Sequence, residues 1–493
     1  MAFVHCDCTS EHSREITRRK LLELSGKGVA LGALGLSLPG LMHMQEAYGL
    51  TPENPFYDGV LCVTFNGGTG TIDSLDPKPG SNNNVFNTIN LGANDVYNQP
   101  IVLSEVLPNL ANLVQNDPAV GMGIVRSMWH GSNNHGNGQA MMAAFWRGQL
   151  LNSYPSQAPV FAHYLQGQGI GIPAVQINGN NLQGINDARG ARVPTALQVD
   201  VGGNQNNNPI VQALGLPAGV DGARYTRRKD LIDKLNARFL GSRQVDTMAK
   251  AWEKATADAY NVTFQGDAAR AFDLTGKTLL PAQNNQNAQR FTLAQELLKA
   301  GIPYVTCGIG GNDSHGNNMA TVRNNWGQTF DRAVAAMAAN LKATGKRYLI
   351  FTISDFARTP QTVAGGRDGR DHWGGAMSNL LISINQPLFK TTAIGDTGPD
   401  GLWVEGTTGN GGAGQLNMLR DPFEPAHLGY LVYSAMGIPM FAPDGRADVP
   451  TTTGRNAPPV DRTVTIEVPT GNQVVYMPGA SYGTKLRTAF GLV

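Results

Sequence analysis

The run Tyr348-Leu349-Ile350-Phe351-Thr352-Ile353 leads directly into Ser354-Asp355-Phe356-Ala357-Arg358-Thr359-Pro360. A short, almost wholly apolar run rich in β-branched and aromatic residues is what a strand buried on both faces requires. Such strands belong to parallel sheets covered by helices. Asp355 therefore stands where a buried strand stops and a loop begins. Ligands of open parallel sheets gather just beyond the carboxyl ends of strands. Arg358, Arg370, Asp371 and His372 follow closely. Charge packed beside a buried strand costs free energy unless it is paired or binds something.

Other segments repeat the pattern. Buried strands are expected over 60–65, 120–125, 174–177, 304–307 and 377–384, with helices over 103–114 and 139–146. Phe291, Ala294, Leu297 and Leu298 line one helix face, which Gly301 and Pro303 bring to a stop. Val322, Trp326, Phe330, Val334, Met337 and Leu341 recur at three- to four-residue spacing, predicting one helix between strands 304–307 and 348–353. A strand–helix–strand unit within one sheet implies a parallel pair with a right-handed crossover. Both strands then end on one edge, which brings Asp313 and His315 near Asp355. The same logic adds Asp73, after the first strand and its Gly67-Gly68 turn, and His130 and His135, after the second. A further helix over 425–436 carries His427, read as a structural histidine.

Charged residues make up 15% of the chain and the net charge is +1. That balance argues against a nucleic-acid partner, which needs a basic excess. Asn- and Gly-rich tracts such as 81–84 and 203–208 read as solvent loops, and the basic run 224–229 as a solvated face. Amphipathic helices at 230–240 and 244–260 suggest a helical insertion over about 185–285, and residues 446–493 a β-rich appendage.

Thr17-Arg18-Arg19-Lys20-Leu21-Leu22 precedes a Gly/Ala/Leu run over 28–38. Positive residues before a short apolar region form the pattern of an export signal. The paired arginines resemble a twin-arginine signal, here occupying 1–49, which implies a twin-arginine translocase as partner and a periplasmic or secreted protein. The run is too short for a stable membrane span of about 20 residues. Cys6 and Cys8 lie in this leader, leaving Cys62 and Cys307, which are read as buried free thiols in preference to a bridge.

Taken in order, Arg18-Arg19, Gly67-Gly68 with Asp73 and Asp76-Pro77-Lys78-Pro79, Val125-Arg126-Ser127-Met128 with His130 and His135, Asp313-x-His315, Phe356-Ala357-Arg358-Thr359-Pro360 and Gly369-Arg370-Asp371-His372-Trp373 resemble the bacterial family called domain of unknown function 1501, over roughly 17–440. That family looks like a branch of the alkaline phosphatase and sulfatase superfamily. The resemblance implies a three-layer α/β/α sandwich over 50–445, with a mostly parallel central sheet and a metal-dependent site at the strand ends.

Residue by residue, Asp355 resembles the superfamily's late-strand Asp, His372 its final metal-binding His, and Asp313 and His315 its middle ligands. The sequence departs from the pattern at Phe356, where the superfamily has His. Asp355 and Ala357 also replace the family's Glu and Gly. Ser132 and His135 are the candidates nearest to a nucleophile.

Mixed carboxylate and imidazole donors suit Zn²⁺ or Mn²⁺ better than Ca²⁺ or Mg²⁺. Asp313, His315, Asp355, Asp371 and His372, with His130, His135 or Asp73, are the expected ligands of one or two ions. Arg126 or Arg358 is the expected clamp on the oxygens of a small-molecule or glycan ester. The bland alternative is a salt-bridge network pairing Asp355 with Arg358 and Asp371 with Arg370. Two functions follow: an exported metal-dependent hydrolase of phosphate or sulfate esters, or a non-catalytic exported binding or envelope-assembly protein on the same fold.

Overall fold

The computed structural model describes residues 55–145, 156–158, 161, 165, 172–177, 197–199, 201, 234, 270–362, 368–385, 387–398, 423–438, 462–468, 471–477, 486 and 488–491. The export signal, the basic run 224–229 and the helices expected at 230–240 and 244–260 lie outside the described residues, single position 234 excepted.

In chain order, strands β1 (Gly59–Phe65), β2 (Thr88–Asn94) and β3 (Pro100–Ser104) lead to helix α1 (Pro108–Asn116). Strand β4 (Val120–Met128) and helix α2 (His135–Ala144) follow, then β5 (Ala174–Ile177) and β6 (Leu197–Val199). Helix α3 (Asn285–Lys299) precedes β7 (Tyr304–Ile309). Helix α4 (Asn318–Val322), a π-helical segment (Arg323–Asp331) and α5 (Arg332–Lys342) then run to β8 (Tyr348–Ser354). The short strands β9 (Ala357–Arg358) and β10 (His372–Trp373) pair with each other. Strands β11 (Met377–Ile384) and β12 (Thr392–Ile394), helix α6 (Pro425–Ala435) and the hairpin β13 (Arg462–Val468) and β14 (Gly471–Met477) complete the order.

Eight strands form the central sheet in the order β12-β4-β11-β8-β1-β7-β5-β6. Among the described residues, only β11 in this sheet runs against its two neighbours, and the sheet's other pairings are parallel. The sheet is thus mostly parallel, as expected, with one reversed strand in its interior. Strand periodicity divides β1 between two cores. Leu61, Val63 and Phe65 face a cluster with α1, α3, the π-helical segment and α5. Val60 and Cys62 face another with α2 and α6. Helices therefore cover both faces, which makes three layers.

Helix α1 begins later than expected, because Leu103 belongs to β3 and Pro108 supplies the first turn. Its N-cap, Leu107, offers no side-chain bond. The Asp331 carboxylate takes that role from the facing segment, accepting from Asn109 N–H (3.1 Å) and Leu110 N–H (2.8 Å).

The single helix expected across Trp326 and Phe330 is interrupted by nine residues of π-helix. Trp326 stacks on Phe65 at the end of β1, centroids 4.0 Å apart. Asn325 donates to the carbonyls of Gly310 and Gly311 (3.3 Å each) and to Asn312 Oδ1 (2.9 Å). π-Helical turns commonly mark functional sites; this one braces the loop that carries Asp313. Cys62 and Cys307 are buried free thiols, and burial pushes the Cys307 thiol up to about 12. No helix among the described residues is long and apolar enough to cross a membrane.

Candidate metal centre

The parallel strands β1, β4, β7 and β8 deliver their following loops to one edge of the sheet. Asp355 follows β8 directly and is fully buried. Its Oδ2 accepts from His135 Nδ1–H (2.7 Å), Gly67 N–H (2.8 Å) and Gln139 Nε2–H (3.1 Å). Burial pushes its carboxyl pKa upward, against the pull of these donors. Gly67 can make this approach because it has φ +114°, and a Cβ there would lie 2.4 Å from Asp313 N.

His135 opens α2, with Asn134 capping the helix through its side chain. Because Nδ1–H is committed to Asp355, neutral His135 turns an Nε2 lone pair inward. That atom is buried without a hydrogen-bond partner, 3.5 Å from Asp313 Oδ2. His372 is fixed in the same sense, since its Nδ1–H donates to the Asn133 carbonyl (2.9 Å). Its Nε2 lies 3.3 Å from Asp313 Oδ1 and 2.8 Å from His315 Nε2. His315 Nε2 is also 3.0 Å from Asp313 Oδ1.

Asp313 is therefore ringed by three imidazoles. Burial raises its carboxyl pKa, but the hydrogen bond and charge of Arg358 lead the effects that more than offset this and hold it at about 2. His135, Asp313 and His372 each offer a ligand atom within 4.8 Å of the others. This donor set fits a divalent ion. Two imidazole tautomers are fixed by outer acceptors, an arrangement typical of metal-bound histidine, and one inward nitrogen has no protein partner.

Other expected site residues are placed differently. Arg370 grips Asp73 through Nε (2.6 Å) and Nη2 (2.8 Å), and Asn318 donates to it at 2.7 Å. Asp73 is thus a buried ion-pair partner, away from the imidazole cluster. His130 donates Nε2–H to the Asp355 carbonyl (2.7 Å) and accepts Ser132 N–H at Nδ1 (3.1 Å), so both ring nitrogens face protein groups. Asp371 is exposed, with Oδ1 3.4 Å from His315 Nδ1.

Neither arginine is disposed as a clamp. Arg126 is buried against Asp76 (3.0 Å) and Asp95 (3.2 Å). Arg358 is buried against Asp313 and the carbonyls of Gly67, Asn312 and Arg370. The expected salt bridges are re-paired: Arg358 joins Asp313, not Asp355, and Arg370 joins Asp73, not Asp371. Ser132 Oγ accepts Asn134 N–H at 3.3 Å; a serine nucleophile is activated by an adjacent base or by metal coordination.

Two participants escaped the sequence reading. Gln139 sits one helical turn after His135, and that spacing signals a shared face. Asn133 acts through its backbone carbonyl, which no side-chain pattern announces.

These features define an α/β protein with a histidine–aspartate cluster at the ends of parallel strands. The chain belongs to the family described as Protein of unknown function (DUF1501), whose model matches residues 57–382. That span holds the whole cluster and is shorter at both ends than the resemblance suggested. No curated protein matches the chain.

Among solved structures, it is similar to the Streptococcus pyogenes phosphoglycerol transferase GacH in complex with sn-glycerol-1-phosphate, at 7% identity and TM-score 0.35, covering 81% of this chain and 79% of that one. It is also similar to the C-terminal periplasmic domain of EptC from Escherichia coli in complex with Zn, at 10% identity and TM-score 0.35, covering 90% and 96%. A third likeness is to alkaline phosphatase from the Antarctic bacterium TAB5, at 10% identity and TM-score 0.29, covering 69% and 95%.

Proposed function

We propose that this protein is an exported metal-dependent hydrolase of phosphate or sulfate esters. The observation that carries the reading is the convergence of inward-facing imidazole nitrogens from His135 and His372 on the Asp313 carboxylate. Residues so disposed would hold Zn²⁺ or Mn²⁺. A bound divalent ion polarises a phosphoryl or sulfuryl oxygen and lowers the pKa of a coordinated water.

The chain's own residues do the positioning. Asp355 and the Asn133 carbonyl keep the two imidazoles in the tautomer that faces inward. Arg358 keeps Asp313 ionised, so the carboxylate is ready as a donor through neutral pH. His315, half-exposed beside Asp313 and His372, would complete the ligand set. Asp371 stands at the open side, within reach of His315. Export by the twin-arginine route, to the periplasm or outside, is part of the same proposal and rests on Arg18-Arg19 and the apolar run after them.

A second reading is supported by Ser132, whose hydroxyl is engaged by a backbone amide and, among the described residues, has no base positioned on it. On that reading the protein is a non-catalytic exported binding or envelope-assembly protein that keeps the same fold. Aryl phosphate and aryl sulfate turnover by zinc- or manganese-loaded protein separates the two. Hydrolysis of either ester, lost in Asp313→Asn, supports the hydrolase. No bound metal and no turnover of either supports the non-catalytic protein.

A further inference from the structure

Asp355 stands where the sequence places a metal ligand, yet its geometry is that of an outer carboxylate. Three N–H donors from His135, Gly67 and Gln139 fill Oδ2. A carboxylate oxygen so crowded has no direction left for a cation. Among the described residues, the group of His, Cys, Asp or Glu ligand atoms lying within 4.8 Å of one another is His135, Asp313 and His372, without Asp355. The neighbours that a second ion would need are engaged elsewhere: Asp73 by Arg370 and Asn318, and His130 by the Asp355 carbonyl and Ser132 N–H.

We propose that the centre holds a single ion and that Asp355 serves it from behind His135 as a positioning residue, not as a ligand. The proposal rests on the metal-centre reading above. Asp355 fixes the tautomer and ring orientation of His135. Gly67 and Gln139 hold the carboxylate, and the Asp355 carbonyl is itself tied to His130. The competing arrangement is specific. Asp355 Oδ1 is buried without a hydrogen-bond partner, so a second ion, if present, would bind there.

Stoichiometry and coupling decide between them. Wild type, Asp355→Asn, His135→Ala and the double variant are loaded with Zn²⁺. The metal-to-protein ratio is then measured, and affinity is obtained by competition with a chromophoric chelator. The expected ratio is one for wild type and one for Asp355→Asn, with affinity in Asp355→Asn weakened about 10- to 100-fold. In the His135→Ala background the Asp355 substitution has no further effect, since it acts through the missing ring.

Two ions in wild type falling to one in Asp355→Asn overturn the proposal while leaving the metal-centre reading intact. An equal loss in both backgrounds also overturns it. No ion in wild type overturns the two together. Should Asp355→Asn fail to fold, Gln139→Leu removes one donor from the same carboxylate. It is expected to weaken affinity at unchanged stoichiometry, and unchanged affinity there contradicts the proposal.

Discussion

His372 Nδ1–H donates to the Asn133 carbonyl across 2.9 Å, joining loops whose residues are 239 positions apart. The bond fixes the imidazole tautomer and sets the distance between the loop after β4 and strand β10. Gly374 makes that distance possible. A Cβ at Gly374 would lie 2.6 Å from both the backbone N and O of Ser132, and backbone cannot swing aside as a side chain does. Gly374→Ala therefore pushes Asn133 away from His372 without touching any ligand. The expected result is a zinc affinity reduced about 10- to 100-fold, measured by chelator competition. Unchanged affinity would show that the carbonyl does not orient His372.

Asp73 and Arg370 form a fully buried pair, with both side chains at 0% exposure. Removing one partner strands the other charge away from water. Asp73→Ala should cost about 3–5 kcal/mol, measured as a lower urea midpoint at unchanged slope. Zinc stoichiometry per folded chain should stay the same, because Asp73 points at Arg370. Loss of the ion with stability intact would make Asp73 a ligand after all.

His427, in the first turn of α6, is fully buried beside the Phe423 ring, with Nδ1 accepting Glu424 N–H at 2.9 Å. Burial pushes its pKa down to about 3 from 6.5. Between those values the unfolded chain binds a proton that the folded chain refuses. Its contribution is therefore complete above pH 6.5 and declines as pH falls towards 3, by up to about 1.4 kcal/mol per unit. His427→Leu should flatten the stability–pH curve across that window, read from urea midpoints at several pH values. A slope equal to wild type would mean that other groups govern the acid limb.

Runs of apolar β-branched residues made most of the sheet legible in the sequence. The interior strands show no polar face, so their positions could be read directly. Direction was another matter: β11 is as apolar as β8, and only its pairing reveals that it runs backwards. The hairpin of β2 and β3 was missed because its exposed Asn and Gly resemble loop, while Leu103 beside the next helix resembled its first turn. The π-helical stretch keeps the same apolar spacing as an ordinary helix, so its extra residue left no trace.

At the site, convergence of Asp313, His315, Asp355 and His372 was legible because parallel strands end on one edge. Which charge pairs with which was not. Arg358 and Arg370 were matched to neighbours in sequence, while their actual partners, Asp313 and Asp73, come from other strand ends. Pairing across a sheet edge depends on loop geometry that spacing does not encode.

Calorimetric titration of chelator-stripped protein with Zn²⁺ tests the metal centre most directly. Wild type is compared with a His135→Ala, Asp313→Asn, His372→Ala triple variant whose circular dichroism matches it. Saturable binding by wild type and none by the triple variant is the predicted result. Binding by neither, or equal binding by both, would contradict it.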